Sequence, residues 1–238
     1  MSQEVVGQDG GRPVVYQVMP RLFGNTNETR KVNGTMAENG CGKFSDFNEK
    51  ALDEIRKMGF THLWLTGVIE QASSTSYPGR PADPPDILKG KAGSPYAIRD
   101  YFDVCPDYAE EPSRRLEEFQ SLLMRCEKHG LKVVIDFVPN HVARSYSSDV
   151  RPGLSFGNDD DASVFFDPDN NFFYVQPGQA AGGPPLTLPT AGKEGCTGRF
   201  EPETDFVRVT GNNGISFSPG EGDWYETVKL NYGHDFSR

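Results

Sequence analysis

Three short apolar segments, separated by two amphipathic ones, place the strongest constraint on the fold of this chain. Residues 14–19 form a β-branched and aromatic run, residues 61–65 open a second run, and residues 132–138 form a third. The two segments between them carry apolar side chains at helical spacing and stop at Gly59 and Gly130. Strand, helix, strand, helix, strand is the pattern of two βαβ units, which predicts an α/β fold.

The local signals within these units allow finer predictions. Asp46 is a residue type that caps helices, and Glu49 follows three positions later, so the pair predicts a capping box at the start of the first helix. The third apolar run is almost continuous from Val133 to Val138. Such a run is typical of a strand that is buried on both faces of a parallel sheet.

The connections at the two ends of the strands differ in length. The turns from helix to strand, at Gly59 and Gly130, are short. Residues 20–45 and 70–112 follow strand carboxyl ends, and they are long and rich in Gly, Pro, Asn and Ser. Because the loops after the strands build the active site of a (β/α)₈ barrel, this difference in length favours a barrel.

Residues 139–223 have no clear helical period. Pro184-Pro185 and the segment from Gly211 to Gly214 break this region into short pieces. A structureless loop of about 85 residues is improbable in a compact domain. We therefore predict a small β-rich excursion after the third strand.

Charge and hydropathy exclude several classes of function. The chain carries 24 Lys and Arg against 34 Asp and Glu, a formal net charge of −10, and it has no basic cluster. Such a chain is a poor binder of nucleic acid or of anionic membrane surfaces. Its apolar runs are far shorter than the ~18 residues of a transmembrane helix, and residues 1–12 lack the regions of a secretory signal. We expect a cytoplasmic protein with no nucleic-acid or membrane partner. A secreted or periplasmic protein is the alternative if the start of the sequence is processed or engineered.

The cysteine pattern agrees with that location. The chain has four cysteines and no C-x-x-C pair, and their density is far below that of a disulfide scaffold. We predict unpaired thiols in a reducing compartment.

The most informative stretch runs from Asp136 to His141, with the sequence Asp-Phe-Val-Pro-Asn-His. It places a carboxylate, an amide and an imidazole at the carboxyl end of a buried strand. Each buried polar group needs a partner. Two interpretations therefore stay open for this stretch alone: a functional site, or polar side chains satisfied at a strand edge.

This stretch resembles the D-x-V-x-N-H motif of the α-amylase superfamily, glycoside hydrolase family 13. Further matches follow the family order. Residues 16–23 resemble the first strand and its exit, and residues 44–66 resemble the first helix and second strand. Residues 94–101 are similar to the Tyr-containing segment before the second helix, and residues 224–232 resemble the return of an inserted domain to the barrel. These matches span nearly the whole chain.

The resemblance implies a (β/α)₈ TIM barrel of which only the first three β/α units are present, with a β-rich domain B inserted after strand 3. It divides the chain into four parts. Residues 1–13 are a flexible N-terminal tail, and residues 14–138 are the first part of the catalytic barrel. Residues 139–223 are the domain B-like insertion, and residues 224–238 return toward the barrel and stop before strand 4.

The resemblance also implies roles for individual residues. Tyr96 would stack under the glucosyl ring at the cleavage point, and His141 would hydrogen-bond its hydroxyls. Asp136 would be a buried partner for an arginine on the fourth strand, and Arg21 and Asp100 would support the active site. An aromatic face suits the apolar C–H surface of a sugar.

Calcium is the cofactor that the resemblance implies, with Asn140 as a ligand that joins domain B to the barrel. Amide oxygens are hard ligands of the kind that calcium binds. A purely structural hydrogen-bonding role for Asn140 is the alternative. Some relatives carry a second calcium loop, D-x-N-x-D-G, after the first strand. The corresponding residues 24–28 hold one carboxylate, which disfavours calcium there.

Glycoside hydrolysis requires two carboxylates, and the family motifs that carry them do not occur in this sequence. In the family they lie on the fourth and fifth strands, so the resemblance implies no catalytic residue in this segment. We expect the N-terminal portion of a retaining, α-amylase-type glycosidase that acts on α-glucans and packs against the C-terminal remainder of the barrel. An α-glucan transglycosylase or isomerase, or a non-catalytic carbohydrate-binding relative, is the alternative. A metal-dependent hydrolase is excluded, because the first strand lacks an H-x-H pair.

Overall fold

The computed structural model describes residues 11–164, 166–175, 186–214 and 216–233. Most of the predicted N-terminal tail and the last five residues of the predicted return segment lie outside the described residues. In chain order the elements are β1 (Val15–Val18), α1 (Met36–Asn39), α2 (Glu49–Lys57), β2 (His62–Leu65), β3 (Ile69–Gln71), β4 (Ile98–Val104), α3 (Arg115–Lys128), β5 (Lys132–Ile135), β6 (His141–Ala143), β7 (Tyr174–Val175), β8 (Val207–Arg208) and β9 (Thr227–Lys229).

A three-stranded parallel sheet lies at the centre of the fold, in the order β1-β2-β5. Its register places Val15 beside His62, and His62 beside Lys132. The helices α2 and α3 connect these strands, so the structure contains the two predicted βαβ units.

The main core fills the space between the sheet and the two helices. Leu52 and Ile55 of α2, Leu122 of α3, and Leu63 and Leu65 of β2 are each at most 3% exposed. Burying one such side chain contributes about 1.5–3 kcal/mol. Because these positions recur every three or four residues along each helix, the helical spacing in the sequence directly predicts this packing.

The ends of α2 correct one prediction and confirm another. Asn48 is the N-cap, and its side-chain oxygen accepts a hydrogen bond from Ala51 N at 3.1 Å. Asp46 instead accepts from Lys43 N at 2.7 Å within the preceding 3₁₀ turn, so the predicted cap at Asp46 is wrong. Asp46 closes the earlier turn, and only Asn48 stands directly before the first helical residue. Gly59 has φ +92°, the left-handed conformation expected just beyond a helix end.

The exposure of β5 differs from the prediction. Val134 and Ile135 are 39% and 43% exposed, although the apolar run predicted burial on both faces. Within the described ranges β5 pairs with β2 alone, so its other edge and part of its surface face solvent.

The loop after β2 carries an antiparallel pair, β3 with β4. This pair places Glu70 opposite Asp100, and the register shifts on either side of Glu70. The hydroxyl of Tyr101 in β4 donates a hydrogen bond to the carbonyl of Val138, which ties the pair to the segment after β5.

Short antiparallel ladders make up the region after residue 138. β6 pairs with β9, which places His141 beside Lys229, and β7 pairs with β8. Because β9 lies beside β6, the chain returns to the place where it left the sheet. The limits of the predicted domains stay a prediction.

A buried ion network holds this region together. Arg144 and Glu203 have no exposed side-chain surface, and Arg144 Nη1 donates to Glu203 Oε2 at 2.7 Å. Arg208 donates to the other oxygen of Glu203 at 2.8 Å. Burial alone would raise the pKa of Glu203, but the two guanidinium groups hold it below its ordinary value. Arg144 Nε also donates to Tyr225 O at 2.6 Å, so the network spans the region.

Two predictions about the whole chain can be compared with the structure. Cys41, Cys105, Cys126 and Cys196 are all free thiols, as predicted. No helix among the described residues is long and apolar enough to cross a membrane.

Candidate functional site

An open cleft of about 410 Å³ lies at the carboxyl end of the parallel sheet. It is lined by Gln17, Trp64, Tyr96, Val134, Ile135, Asp136, Phe137 and Val138. Its position matches the edge of a barrel at which active sites are built.

Asp136 follows β5 directly and is half-buried at the wall of the cleft. Trp64 Nε1 donates a hydrogen bond to Asp136 Oδ1, and Gly67 N donates to Oδ2 at 3.3 Å. These two donors fix the carboxylate from the neighbouring strand and its exit. Within the described residues Asp136 forms no ion pair, so its predicted arginine partner is not among them.

Gly67 lets two loops meet beside the cleft. Its φ is +71°, and a Cβ at this position would lie 2.3 Å from Pro95 Cβ. Both the backbone conformation and the close approach therefore require glycine. Pro95 immediately precedes Tyr96, so this contact positions the loop that carries the aromatic ring.

Tyr96 is 47% exposed, and its side chain lines the cleft. Arg21 forms hydrogen bonds to the backbone of the loop that carries Tyr96. Arg21 Nη1 donates to Gly93 O at 3.2 Å, and Nη2 donates to Ala92 O at 3.0 Å. The structure therefore places Arg21 in a supporting position behind Tyr96.

His141 is joined directly to Tyr96. Its Nε2 lies 3.1 Å from Tyr96 O, and since a carbonyl can only accept, Nε2 carries the proton. Its Nδ1 is buried and has no hydrogen-bond partner within the described ranges, and the residue is 5% exposed. Burial lowers the pKa of His141, against the smaller opposing effect of the Tyr96 carbonyl. The neutral ring thus holds the Tyr96 backbone and keeps a lone pair on Nδ1.

Trp224 packs against His141, a contact that the sequence analysis did not anticipate. The ring centroids are 5.0 Å apart with an interplanar angle of 49°, and Trp224 is 40% exposed. Trp64 and Trp224 are the two tryptophans of the chain, and each contacts one residue of the Asp136–His141 motif. Trp224 lies in residues 224–232, which resemble the return of an inserted domain to the barrel. This resemblance is the one sequence signal that could have placed Trp224 near His141.

Asp100 does not line the cleft. It is fully buried in β4, where Oδ1 accepts from Phe102 N at 2.8 Å and Oδ2 accepts from Asp149 N at 2.9 Å. It belongs to a cluster with Glu70 and Asp103, in which one carboxylate oxygen of each residue lies within 4.8 Å of the others. Burial raises the pKa of Glu70 to about 7, although Arg80 acts in the opposite direction.

Asn140 is exposed, and its carbonyl accepts from Leu230 N at 3.1 Å. Across the described ranges, Glu70, Asp100 and Asp103 are the only group of three carboxylate, imidazole or thiol side chains close enough to share a metal ion. The described surroundings of Asn140 therefore do not supply such a ligand set. A calcium ion at Asn140 stays a prediction, and no chemical step is derived through it.

The loop after β1 is closed by its own amide groups. Asn25 Nδ2 donates to Asn39 O at 3.1 Å, and Asn27 Nδ2 donates to Glu38 O at 3.3 Å. Lys31 forms an ion pair with Glu38. The side-chain amides of this loop therefore donate to the backbone carbonyls of Glu38 and Asn39.

The lining of the cleft combines two exposed aromatic rings, those of Tyr96 and Phe137, with one carboxylate. An aromatic face of this kind binds the apolar side of a sugar ring. Glycoside hydrolysis needs two carboxyl groups on either side of the bond, and Asp136 is the one carboxylate among the described lining residues. The arrangement suits the binding of a sugar ring, and it contains at most one of the two carboxyl groups that hydrolysis needs.

Comparison with known proteins gives a consistent result. A family model described as alpha amylase, catalytic domain, matches residues 17–191. The trehalose-6-phosphate hydrolase of Bacillus subtilis (strain 168) is 30% identical over 135 residues, which cover 57% of this chain and 18% of that protein. An alpha-glucosidase of Apis mellifera is 26% identical over 94% of this chain and 28% of its own length. An alpha-glucosidase of Culex pipiens is 31% identical over 71% of this chain and 22% of its own length.

Among solved structures, the trehalose-6-phosphate hydrolase of Bacillus licheniformis shares the fold. It aligns with a TM-score of 0.50 and 19% identity, over 92% of this chain and 30% of that chain. The chain thus spans between about a fifth and three tenths of the length of these relatives.

Proposed function

This chain belongs to the α-amylase family, glycoside hydrolase family 13, whose catalytic domain is a TIM barrel, and from this premise we propose that it forms part of an enzyme that cleaves α-glucosidic bonds in α-glucans. The observation that carries the proposal is the cleft at the carboxyl end of the sheet. There the exposed ring of Tyr96 stands beside Asp136, and its backbone is held by His141.

We assign the binding of one glucosyl unit to this cleft. The Tyr96 ring packs against the C–H face of the sugar, which removes apolar surface of both partners from water. His141 holds the Tyr96 carbonyl and offers the Nδ1 lone pair to a sugar hydroxyl. Nδ1 has no hydrogen-bond partner among the described residues, so it is the ring nitrogen left to accept from such a hydroxyl.

Within the complete enzyme this chain would supply the first three β/α units of the barrel. Residues 139–223 would form domain B, and the rest of the barrel would be their partner. The retaining mechanism needs a nucleophile and a proton donor about 5–5.5 Å apart, and we place both outside this chain. The four free thiols support a cytoplasmic location.

Transglycosylation and isomerisation would use the same cleft, and no described contact favours either of them. A non-catalytic carbohydrate-binding subunit is the second candidate. The single carboxylate among the described lining residues favours it. Release of reducing sugar from maltoheptaose by the complete enzyme separates the two, because a binding subunit leaves the oligosaccharide intact.

The two tryptophans allow a direct test of binding, since Trp64 lines the cleft and Trp224 contacts His141. We expect maltoheptaose to change the fluorescence of the 238-residue chain in a saturable manner, and cellohexaose, its β-linked counterpart, to have little effect. The Tyr96→Phe variant should retain this response because the ring face remains, whereas Tyr96→Ala should lose it.

Phe102→Ala is the matched control, because Phe102 is 39% exposed and does not line the cleft. Equal responses to the two oligosaccharides, or an unchanged response in Tyr96→Ala, would contradict the proposed site.

A further inference from the structure

The carboxylate cluster in the loop after β2 lies outside the cleft and takes no part in the proposed function. Glu70 on β3 stands opposite Asp100 on β4, and Asp103 follows at the end of the same strand. Their exposures are 0%, 0% and 3%, and one carboxylate oxygen from each lies within 4.8 Å of the others. Three carboxylates this close and this buried repel one another unless a cation lies among them.

The existing contacts leave two of the three carboxylates without full compensation. Asp103 is paired with Arg115, whose Nε donates to Oδ2 at 2.8 Å. Asp100 accepts from two backbone amides and forms no ion pair within the described part of the chain. Glu70 Oε1 accepts from Arg80 Nε, but Glu70 Oε2 is buried and has no hydrogen-bond partner among the residues that the structure describes. An unsatisfied oxygen on a wholly buried carboxylate is costly, and it marks a place for a missing ligand.

The ion-pair network around the cluster is short of positive charge. Its carboxylates are Glu70, Asp83, Asp100, Asp103 and Asp149, and its guanidinium groups are those of Arg80, Arg99 and Arg115. Five carboxylates thus face three cations, which leaves two negative charges in a mostly buried region when all five are ionised. A divalent cation would neutralise them.

We propose that Glu70, Asp100 and Asp103 bind one calcium ion. Calcium takes carboxylate oxygens at about 2.3–2.6 Å, so oxygens on opposite sides of the ion lie up to about 4.6–5.2 Å apart. The spread of the three oxygens, at most 4.8 Å, fits within that shell. Magnesium holds its ligands at about 2.0–2.1 Å and keeps several waters, which suits a buried three-carboxylate cluster less well.

The location of this site gives the ion a structural role. β3 and β4 bound the loop that carries Tyr96, which lies two residues before β4. Calcium between the two strands would fix the base of that loop. The site is distinct from the calcium predicted at Asn140, since that residue is exposed and does not belong to the cluster.

The test uses the 238-residue chain after treatment with EDTA. Isothermal titration with CaCl₂ should show one ion per chain, with weaker binding of MgCl₂. At a free calcium concentration of 100 times Kd, the unfolding temperature should rise by about 5–10 °C. A wild-type chain that binds no calcium, or that gains the same stability from an equal concentration of magnesium, would overturn the proposal.

Substitutions in the cluster test where the calcium ion binds. Glu70→Gln and Asp100→Asn, which preserve side-chain volume, should each weaken calcium binding by at least about tenfold. Asp159→Asn is the matched control, because Asp159 is exposed and lies outside the cluster, and it should bind calcium as the wild type does. Loss of calcium binding in Asn140→Ala with retention in Glu70→Gln would assign the ion to the other site and overturn the proposal. If a cluster variant fails to fold, two results still test the proposal. The wild type should bind one calcium ion per chain, and Asn140→Ala should bind calcium as the wild type does.

Discussion

Individual residues around the cleft act mainly through the backbone. Arg21 holds the carbonyls of Ala92 and Gly93, His141 holds the carbonyl of Tyr96, and Gly67 N binds Asp136. The Tyr96 ring is thus positioned by hydrogen bonds that its neighbours make to the backbone of its loop. This arrangement leaves the exposed face of the ring free for binding.

The packing of Gly67 against Pro95 predicts a specific loss of stability. Gly67→Ala places a Cβ 2.3 Å from Pro95 Cβ at a φ of +71°, so both strain and a clash result. Gly59→Ala is the matched control, because φ is +92° and no atom lies within 4 Å of the added Cβ. We expect about 1–2 kcal/mol of lost stability for Gly59→Ala from conformation alone, and about 1–3 kcal/mol more for Gly67→Ala. Urea unfolding measures both, and equal losses would show that the loops separate freely.

His141 predicts a pH dependence of stability. Burial lowers its pKa in the folded state below the ordinary value of 6.5, so the unfolded chain binds the proton at higher pH. The stability that the neutral ring contributes is therefore fully present above about pH 6.5 and is lost as the pH falls from there through the lower pKa of the folded state. We expect His141→Gln to reduce the fall in unfolding temperature between pH 7.5 and 5. Parallel pH profiles for the variant and the wild type would contradict this assignment.

At the scale of helices and strands, the elements that the sequence predicts are those with local signals. The spacing of Leu52 and Ile55 and the stop at Gly59 determine α2, because a helix is built from contacts three and four residues apart. The position of the cap was wrong, since Asp46 and Asn48 are equally suited to the role and the preceding turn decides between them. The β3–β4 pair was not predicted, because Ile69-Glu70-Gln71 is short and two of its residues are polar.

The local sequence pattern does not predict which charged residues are buried. Glu70, Asp100, Arg144 and Glu203 are among the most buried side chains, although their residue types are usually exposed. Each is buried because a partner or backbone amide from a distant segment meets it. The family resemblance placed His141 and Tyr96 at one sugar site but did not predict the hydrogen bond between them. The contact of His141 with Trp224 depends on the pairing of β6 with β9, which brings distant segments together.

The Arg144–Glu203–Arg208 network predicts the stability of the antiparallel ladders. Glu203→Gln removes the charge that faces two guanidinium groups and leaves Arg144 buried without its counter-ion. We expect a loss of about 3–5 kcal/mol in the free energy of unfolding. Glu221→Gln is the control, since the Lys193–Glu221 pair is exposed, and it should change stability little. A small effect of Glu203→Gln in chemical unfolding would mean that the network is not needed for folding.

At the scale of the whole molecule, the number of carboxylates in the cleft predicts whether the 238-residue chain can hydrolyse a glucan by itself. The cleft holds one carboxylate among its described lining residues, and hydrolysis with retention needs two. We therefore expect no hydrolysis of starch or of a chromogenic maltoside by the 238-residue chain. Turnover that co-purifies with the chain and disappears in Asp136→Asn would show that the second carboxylate is present and that the assignment of roles is wrong.

The exposed surface of β5 predicts how the isolated chain behaves in solution. Val134, Ile135 and Phe137 are 39%, 43% and 68% exposed beside a strand edge that pairs with no further strand in the described part of the chain, and such an edge accepts another strand. We expect the 238-residue chain to self-associate, with a mass by light scattering that rises with concentration. Val134→Lys should reduce the association, because a charge on an edge strand opposes pairing. Val150→Lys is the matched control, since Val150 is equally exposed at 39% but lies away from the sheet. A monodisperse wild-type monomer, or equal effects of the two substitutions, would show that this edge does not drive association.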